Sequence, residues 1–247
     1  SFISSWDKVT SAKSLSFCNI KSDTRGIENI SCSLKDWTCL VLVNKKYNCL
    51  FIGNAIVDVV SEVSFDFLEK QKIEVGSWRP VSINEINELQ EEMSNTIIAS
   101  GGSAANSAVG FSLLGGRSAF IGRVKSDDFG SLYINDLKEA NVDFISNPVD
   151  TGNETGRCLV YVSPDAQRSM RTYLGAASNL SLENLDINAF ENSEIVYMEG
   201  YLWDEPVAKE AYKKAFDLSK KLEIKSALSL SDKFCVEKWR DEFRNLS

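Results

Sequence analysis

Residues 100–116, SGGSAANSAVGFSLLGG, decide how this chain is read. Adjacent glycines at 101 and 102 strip the side chains from a turn and let main chain come close to a neighbour or a ligand. The small residues from Ser103 to Leu114 predict a helix able to lie tight against a sheet, its first N–H groups unpaired and pointing outward. Asn106, about one turn in, adds an amide that both donates and accepts, which suits adjacent hydroxyls. Two plainer readings stand beside this one: Gly-Gly before a helix as an ordinary turn, and Asn106 as a buried amide satisfied by main chain. No glycine occupies 104 or 107, so the G-x-G-x-x-G dinucleotide pattern is absent, as is G-x-x-x-x-G-K-[ST].

Working outward, NCLFIGNAIVDVV (48–60) reads as a buried strand that breaks at Gly53-Asn54 and resumes. SINEINELQEEMS (82–94) is helical, with Ser82 as N-cap and Glu85 three residues on. After the glycine stretch, RSAFIGRV (117–124) is a strand and DDFGSLYINDLKEANV (127–142) a helix that Asp127 or Asp128 caps. GRCLVYVS (156–163) and SMRTYLG (169–175) form a β-pair around the turn residues PDAQR, and SEIVYMEGY (193–201) is a further buried strand. EPVAKEAYKKAFDLSKKLE (205–223) is an amphipathic helix with Val207, Ala211, Ala215, Leu218 and Leu222 on one face. IKSALSLSD (224–232) supplies another strand, and a helix begins at Asp232. Alternation of strand and helix predicts an α/β fold with a mainly parallel sheet, and the 157–174 hairpin predicts a small second sheet beside it.

Composition narrows the chemistry. Lys and Arg number 27 against 35 Asp and Glu, a net charge of -8, with no basic tract, which argues against a nucleic-acid surface. The chain contains no histidine, so Ser-His-Asp and Cys-His catalysis, His-containing zinc sites and HExxH are excluded. No apolar run approaches the ~20 residues that span a bilayer. A cytoplasmic location without a membrane partner is the expectation, and the six cysteines, none in C-x-x-C spacing, are read as free thiols. Residues 1–47 hold nine serines and three cysteines without a sustained period and are expected to be an irregular extension foreign to the fold that occupies 48–247.

Asp58 is the carboxylate best placed to complete a hydroxyl-binding set, because ligands of open α/β sheets sit beyond the carboxyl ends of strands. Taken singly it is equally a strand-end turn residue. Arg168 and Arg171 in the hairpin point either toward a ligand or into solvent, a solvated β-surface being the simpler reading.

Five segments in register carry a resemblance: GNAIVDVV (53–60), GGSAANSAVGFSLLGG (101–116), AFIGRVKSDDFG (119–130), TGRCLVYVSPDAQRSMRTYLGA (155–176) and YMEGYLWD (197–204). Together they resemble the ribokinase-like (PfkB) sugar and nucleoside kinases, within them the adenosine-kinase-like branch, over residues 48–247. The resemblance implies a Rossmann-like αβα domain with a small β-sheet lid, ATP as phosphoryl donor and a divalent cation such as Mg2+. It implies an acceptor site of Asp58, Gly101, Gly102 and Asn106, with Asn54 lining the pocket and Glu199 at an acceptor-contacting position. Lys125 stands where the family commonly has glycine in its G-x-D-x-F-G segment. A homodimer paired through the lid is also implied.

The family's Gly-Ala-Gly-Asp run, whose Asp is the catalytic base, does not occur in the sequence; its Asn-x-x-Glu motif is expected to be missing as well, although the bare spacing occurs once, at Asn188–Glu191. The expectation is therefore an acceptor-binding N-terminal part of a kinase, with the C-terminal part of the fold, the base and the ATP site missing, and no turnover alone. Two alternatives are a non-catalytic sugar- or nucleoside-binding or regulatory module, and a plain dinucleotide-binding domain, which the missing glycine pattern disfavours.

Overall fold

A computed structural model describes residues 45–246. The expectation for residues 1–47 lies almost wholly outside the described residues. In chain order the elements are β1 (Tyr47–Ile52), β2 (Ile56–Glu62), α1 (Phe65–Lys70), β3 (Trp78–Pro80), α2 (Ile83–Glu91), β4 (Ile97–Gly101) and α3 (Ser103–Leu113). There follow β5 (Ser118–Ile121), α4 (Asp128–Glu139), β6 (Val142–Phe144), β7 (Gly156–Val162) and β8 (Arg168–Tyr173). The last elements are α5 (Ile187–Glu191), β9 (Ser193–Glu199), α6 (Pro206–Lys221), β10 (Lys225–Ser229) and α7 (Lys233–Arg244).

The strands form two five-stranded sheets, β10-β9-β1-β5-β6 and β3-β8-β7-β2-β4. The first is wholly parallel. Its middle strand β1 has no polar face, because both sides are covered: Leu50 and Ile52 pack with Val196, Met198 and the α6 residues Ala211 and Tyr212, while Cys49 and Phe51 meet α3 and α4. The parallel sheet is the one the alternation predicted, and helices on both faces give the α/β/α layering that the family resemblance implied. The second sheet is mixed. One face is closed by α1 and α2 through Val59, Leu159, Tyr161, Leu68 and Ile86, and the other carries Ile56, Cys158, Val160 and Met170.

Three local expectations are corrected. The break at Gly53-Asn54 is a change of sheet: β1 belongs to the parallel sheet and β2 to the mixed one, so Asp58 is a lid residue rather than a residue beyond the end of a main-sheet strand. A side chain at Gly53 would collide with Ala104 and the Glu199 carboxylate, which is why the crossing chain is bare there. The buried face of α6 is Ala208, Ala211, Tyr212, Ala215 and Ser219, with Leu218 and Leu222 packed against the same core; of the predicted face only Val207 turns out, 51% exposed in the first turn after Pro206. Arg171 is buried rather than solvated, donating to the Ser77 hydroxyl at 3.1 Å and the Met170 carbonyl at 2.8 Å.

The N-caps stand where expected, but Glu85 closes no capping box on Ser82; its carboxylate pairs with Arg79 instead. Ser82 accepts from the Glu85 N–H at 3.2 Å and Asp232 from the Cys235 N–H at 3.1 Å. Asp127, not Asp128, caps α4, and its carboxylate also takes the Thr155 N–H at 2.9 Å and hydroxyl at 2.6 Å, joining α4 to the loop before β7. Cys49, Cys158 and Cys235 are free and buried; the other cysteines lie outside the described residues. No helix of the described residues is long and apolar enough to cross a membrane.

Candidate acceptor site

The chain leaves β4 through the glycine pair and turns directly into α3. Gly102 has φ +93°, a backbone region closed to ordinary side chains, and a Cβ there would strike the Asn54 carbonyl oxygen. A Cβ at Gly101 would overlap the Asp58 carboxylate. Helix α4 fixes the approach to this turn: Asp136 accepts from the Ser100 N–H at 2.7 Å, and the Tyr133 hydroxyl donates to the Gly101 carbonyl at 3.3 Å. Neither α4 residue was singled out from sequence, because both act across a distance in the chain that no local pattern reveals.

A cavity of about 360 Å³ opens between the free face of the lid sheet and the carboxyl ends of the parallel strands. That volume is in the range of small-molecule sites. Asn54, Asp58, Gly102, Asn106 and Glu199 all line it. Gly101 does not; it lies beneath the Asp58 carboxylate and gives that group room.

The two carboxylates are held very differently. Glu199, 1% exposed at the end of β9, accepts from the Asn54 main-chain N–H at 2.7 Å, the Asn54 side-chain amide at 3.0 Å, the Ala104 N–H at 2.9 Å and the Ser103 hydroxyl. Four donors fill the lone-pair sites of a carboxylate. Burial raises its pKa, and those hydrogen bonds oppose the rise. Asp58 makes no hydrogen bond to protein among the described residues. Burial pushes its carboxyl up to about 6, with the Arg168 guanidinium pulling in the opposite direction. Arg168 also lines the cavity, at the exposed start of β8.

Asn106 is exposed in the first turns of α3. The Asn54 side-chain oxygen is buried and has no partner. Two half-exposed aromatic side chains, Trp78 at 47% and Phe234 at 48%, flank the opening from the lid and from α7. Sequence reading missed both, since an aromatic residue at a strand or helix end has no distinguishing local pattern.

The profile of the pfkB family carbohydrate kinases matches residues 57–243. The chain belongs to that family. Among solved structures, this pfkB-family chain is similar to the adenosine kinase of Sinorhizobium meliloti, with 39% identity and a TM-score of 0.75 over 81% of this chain and 62% of that one. A probable sugar kinase from Rhizobium etli has 34% identity and a TM-score of 0.76, over 82% of this chain and 61% of that one. Among characterised sequences, the Escherichia coli protein named fructokinase is 33% identical over 110 residues, 44% of this chain and 36% of its own length. The Arabidopsis thaliana probable fructokinase-6, chloroplastic, is 36% identical over 101 residues, 40% of this chain and 26% of its own length. The pfkB-family chain therefore spans less than two thirds of each of these relatives.

Among the described residues, no group of three or more Cys, Asp or Glu side chains is placed to hold a metal ion.

Proposed function

We propose that this pfkB-family chain binds the hydroxyl-bearing acceptor of an ATP-dependent phosphoryl transfer, the acceptor being a sugar or nucleoside with adenosine favoured. The observation that carries this reading is the unpartnered Asp58 carboxylate, in a cavity it shares with the Gly102 turn and Asn106. An ionised carboxylate accepts from two neighbouring hydroxyls at once, and a carboxamide donates to one oxygen while accepting from another. Glycine at 102 lets a ligand's diol edge come against main chain, and glycine at 101 leaves room for the Asp58 carboxylate. Glu199, with every acceptor position engaged, holds Asn54 and the start of α3 in place rather than touching the acceptor. The lean toward a nucleoside rests on the half-exposed aromatic rings beside the cavity, whose faces suit a flat ring system.

Phosphoryl transfer also needs a proton acceptor and charge neutralisation on the moving group. This reading assigns neither to residues 45–246, since the sequence holds no Gly-Ala-Gly-Asp run. A purified chain mixed with ATP, magnesium and adenosine is expected to form no nucleoside monophosphate. Measured turnover would overthrow that assignment while leaving acceptor binding intact. The same observation keeps a second reading in place, a non-catalytic sugar- or nucleoside-binding module.

Thermal denaturation with adenosine, ribose, fructose and NAD tests acceptor binding, because a ligand that binds only the folded state raises the melting temperature. Adenosine is expected to raise it most and NAD not at all. No shift with any nucleoside or sugar would end the acceptor reading. The free edge of the lid, β4, exposes Ile97 at 70% and Ile98 at 40%, which supports a dimer paired through the lid. Sedimentation at several concentrations checks it, with a monomer throughout as the contrary result.

A further inference from the structure

Glu205 follows the short turn Gly200–Asp204 that ends β9, immediately before Pro206 opens α6. It lines the same cavity as Asp58 but from the other wall: Asp58 stands on the lid sheet, Glu205 on the body of the parallel sheet. The neighbouring acids are engaged. Asp204 pairs with Lys238 at 2.5 Å and accepts from the Trp239 indole N–H at 3.1 Å, and Asp232 caps α7. The Glu205 side chain makes no hydrogen bond or ion pair among the described residues, although as N-cap of α6 it had a helix terminus at hand. Its pKa is raised by burial and by the adjacent Asp204, with Lys238 opposing. A half-buried carboxylate with no protein partner is an acceptor held for something that arrives.

The rest of the cavity lining says what arrives. Leu202, Phe234 and Trp78 line the cavity with carbon, two of them as half-exposed aromatic rings. Flat apolar faces take a ring system, and a carboxylate at that wall takes an N–H donor on the ring. A sugar alone, gripped at the Asp58 end, brings no such group.

We propose that Glu205 is a specificity-determining contact, its carboxylate accepting a hydrogen bond from an amino group on the ring system of the bound ligand, so that the cavity selects amino-bearing nucleosides over bare sugars. This rests on the acceptor-site reading of the cavity. The ligand's amino proton stays on nitrogen, and no bond is made or broken.

The test is titration calorimetry of the full chain with adenosine, with purine riboside (the same nucleoside without its amino group) and with ribose. Wild-type protein is expected to bind adenosine at least roughly tenfold more tightly than purine riboside, the loss typical of a missing charge-assisted hydrogen bond. In Glu205→Ala that ratio is expected to fall toward one, and in Glu205→Gln, which keeps a neutral acceptor, to fall part-way, with melting temperature unchanged because no protein contact is lost. An unchanged ratio in both variants overturns the proposal. Wild-type protein that binds ribose but neither nucleoside overturns it too, while leaving the acceptor reading standing. Binding of none of the three overturns both.

Discussion

Glu199 and Asp58 face one cavity from its two walls, and the protein treats them in opposite ways. Glu199, on the wall built from the parallel sheet, is surrounded by donors from Asn54, Ser103 and Ala104 and joins the end of β9 to the turn after β1 and the start of α3. Asp58, on the lid wall, has its carboxylate over a glycine with no hydrogen bond from the protein among the described residues, only the field of the Arg168 guanidinium. A buried carboxylate can thus be a structural tie or a waiting ligand group, and the difference lies in how many donors the fold has already aimed at it. Proximity to a cavity does not separate the two roles.

The largest effect is expected where the tie is cut. Glu199→Ala leaves the Asn54 and Ala104 N–H groups buried without a partner, and loss of ~3 kcal/mol or more of stability is expected in urea denaturation. A loss below ~1 kcal/mol would mean those donors find water easily. Gly102→Ala comes next, since it forces a side chain into φ +93° against the Asn54 carbonyl. About 1–3 kcal/mol is expected to be lost in the same assay, with the cavity distorted as well.

A smaller effect distinguishes Asp58 by its response to pH. Its folded pKa of about 6 lies above the ordinary 3.8, so the folded state holds this proton more readily than the unfolded state. The contribution to stability is full at acid pH and lost as pH rises from 3.8 through about 6. Asp58→Asn removes that dependence, so the stability of the variant relative to wild type is expected to rise across this interval. Parallel melting curves of the two proteins would count against the account. The smallest effect belongs far from the cavity: Ser82→Ala removes one N-cap bond of α2 and is expected to cost ~1 kcal/mol without changing ligand binding.

The parts legible in the sequence are those set by local sterics and period. The glycine pair, the small-residue helix after it and the caps at Ser82, Asp127 and Asp232 each depend on a few neighbouring residues, and each stands where the pattern put it. The alternation of buried strands with amphipathic helices pointed to the mainly parallel sheet in the same way, while the layering came from the family resemblance. The lid was only half legible. Its hairpin announced itself, but β3 and β4 did not, because WRP and IIASG are short edge segments, largely exposed and without inward–outward alternation. Within the cavity, residue types at Asp58 and Asn106 pointed to hydroxyl chemistry, and the family resemblance added Asn54 and Glu199. What separates Glu199 from Asp58 is a set of partners some 145 and 96 residues away in the chain, which no spacing rule reaches. Glu205 and the aromatic rings near it were silent for the same reason.

The direct measurement is titration calorimetry of wild-type and Asp58→Asn protein with the same acceptor, adenosine, at pH 7.5. The account predicts a tenfold to hundredfold loss of affinity in the variant, about 1.5–3 kcal/mol, with the melting temperature of the free protein unchanged or higher. Equal affinity in the two proteins would contradict it, because the unpartnered carboxylate would then have no hydroxyls to hold.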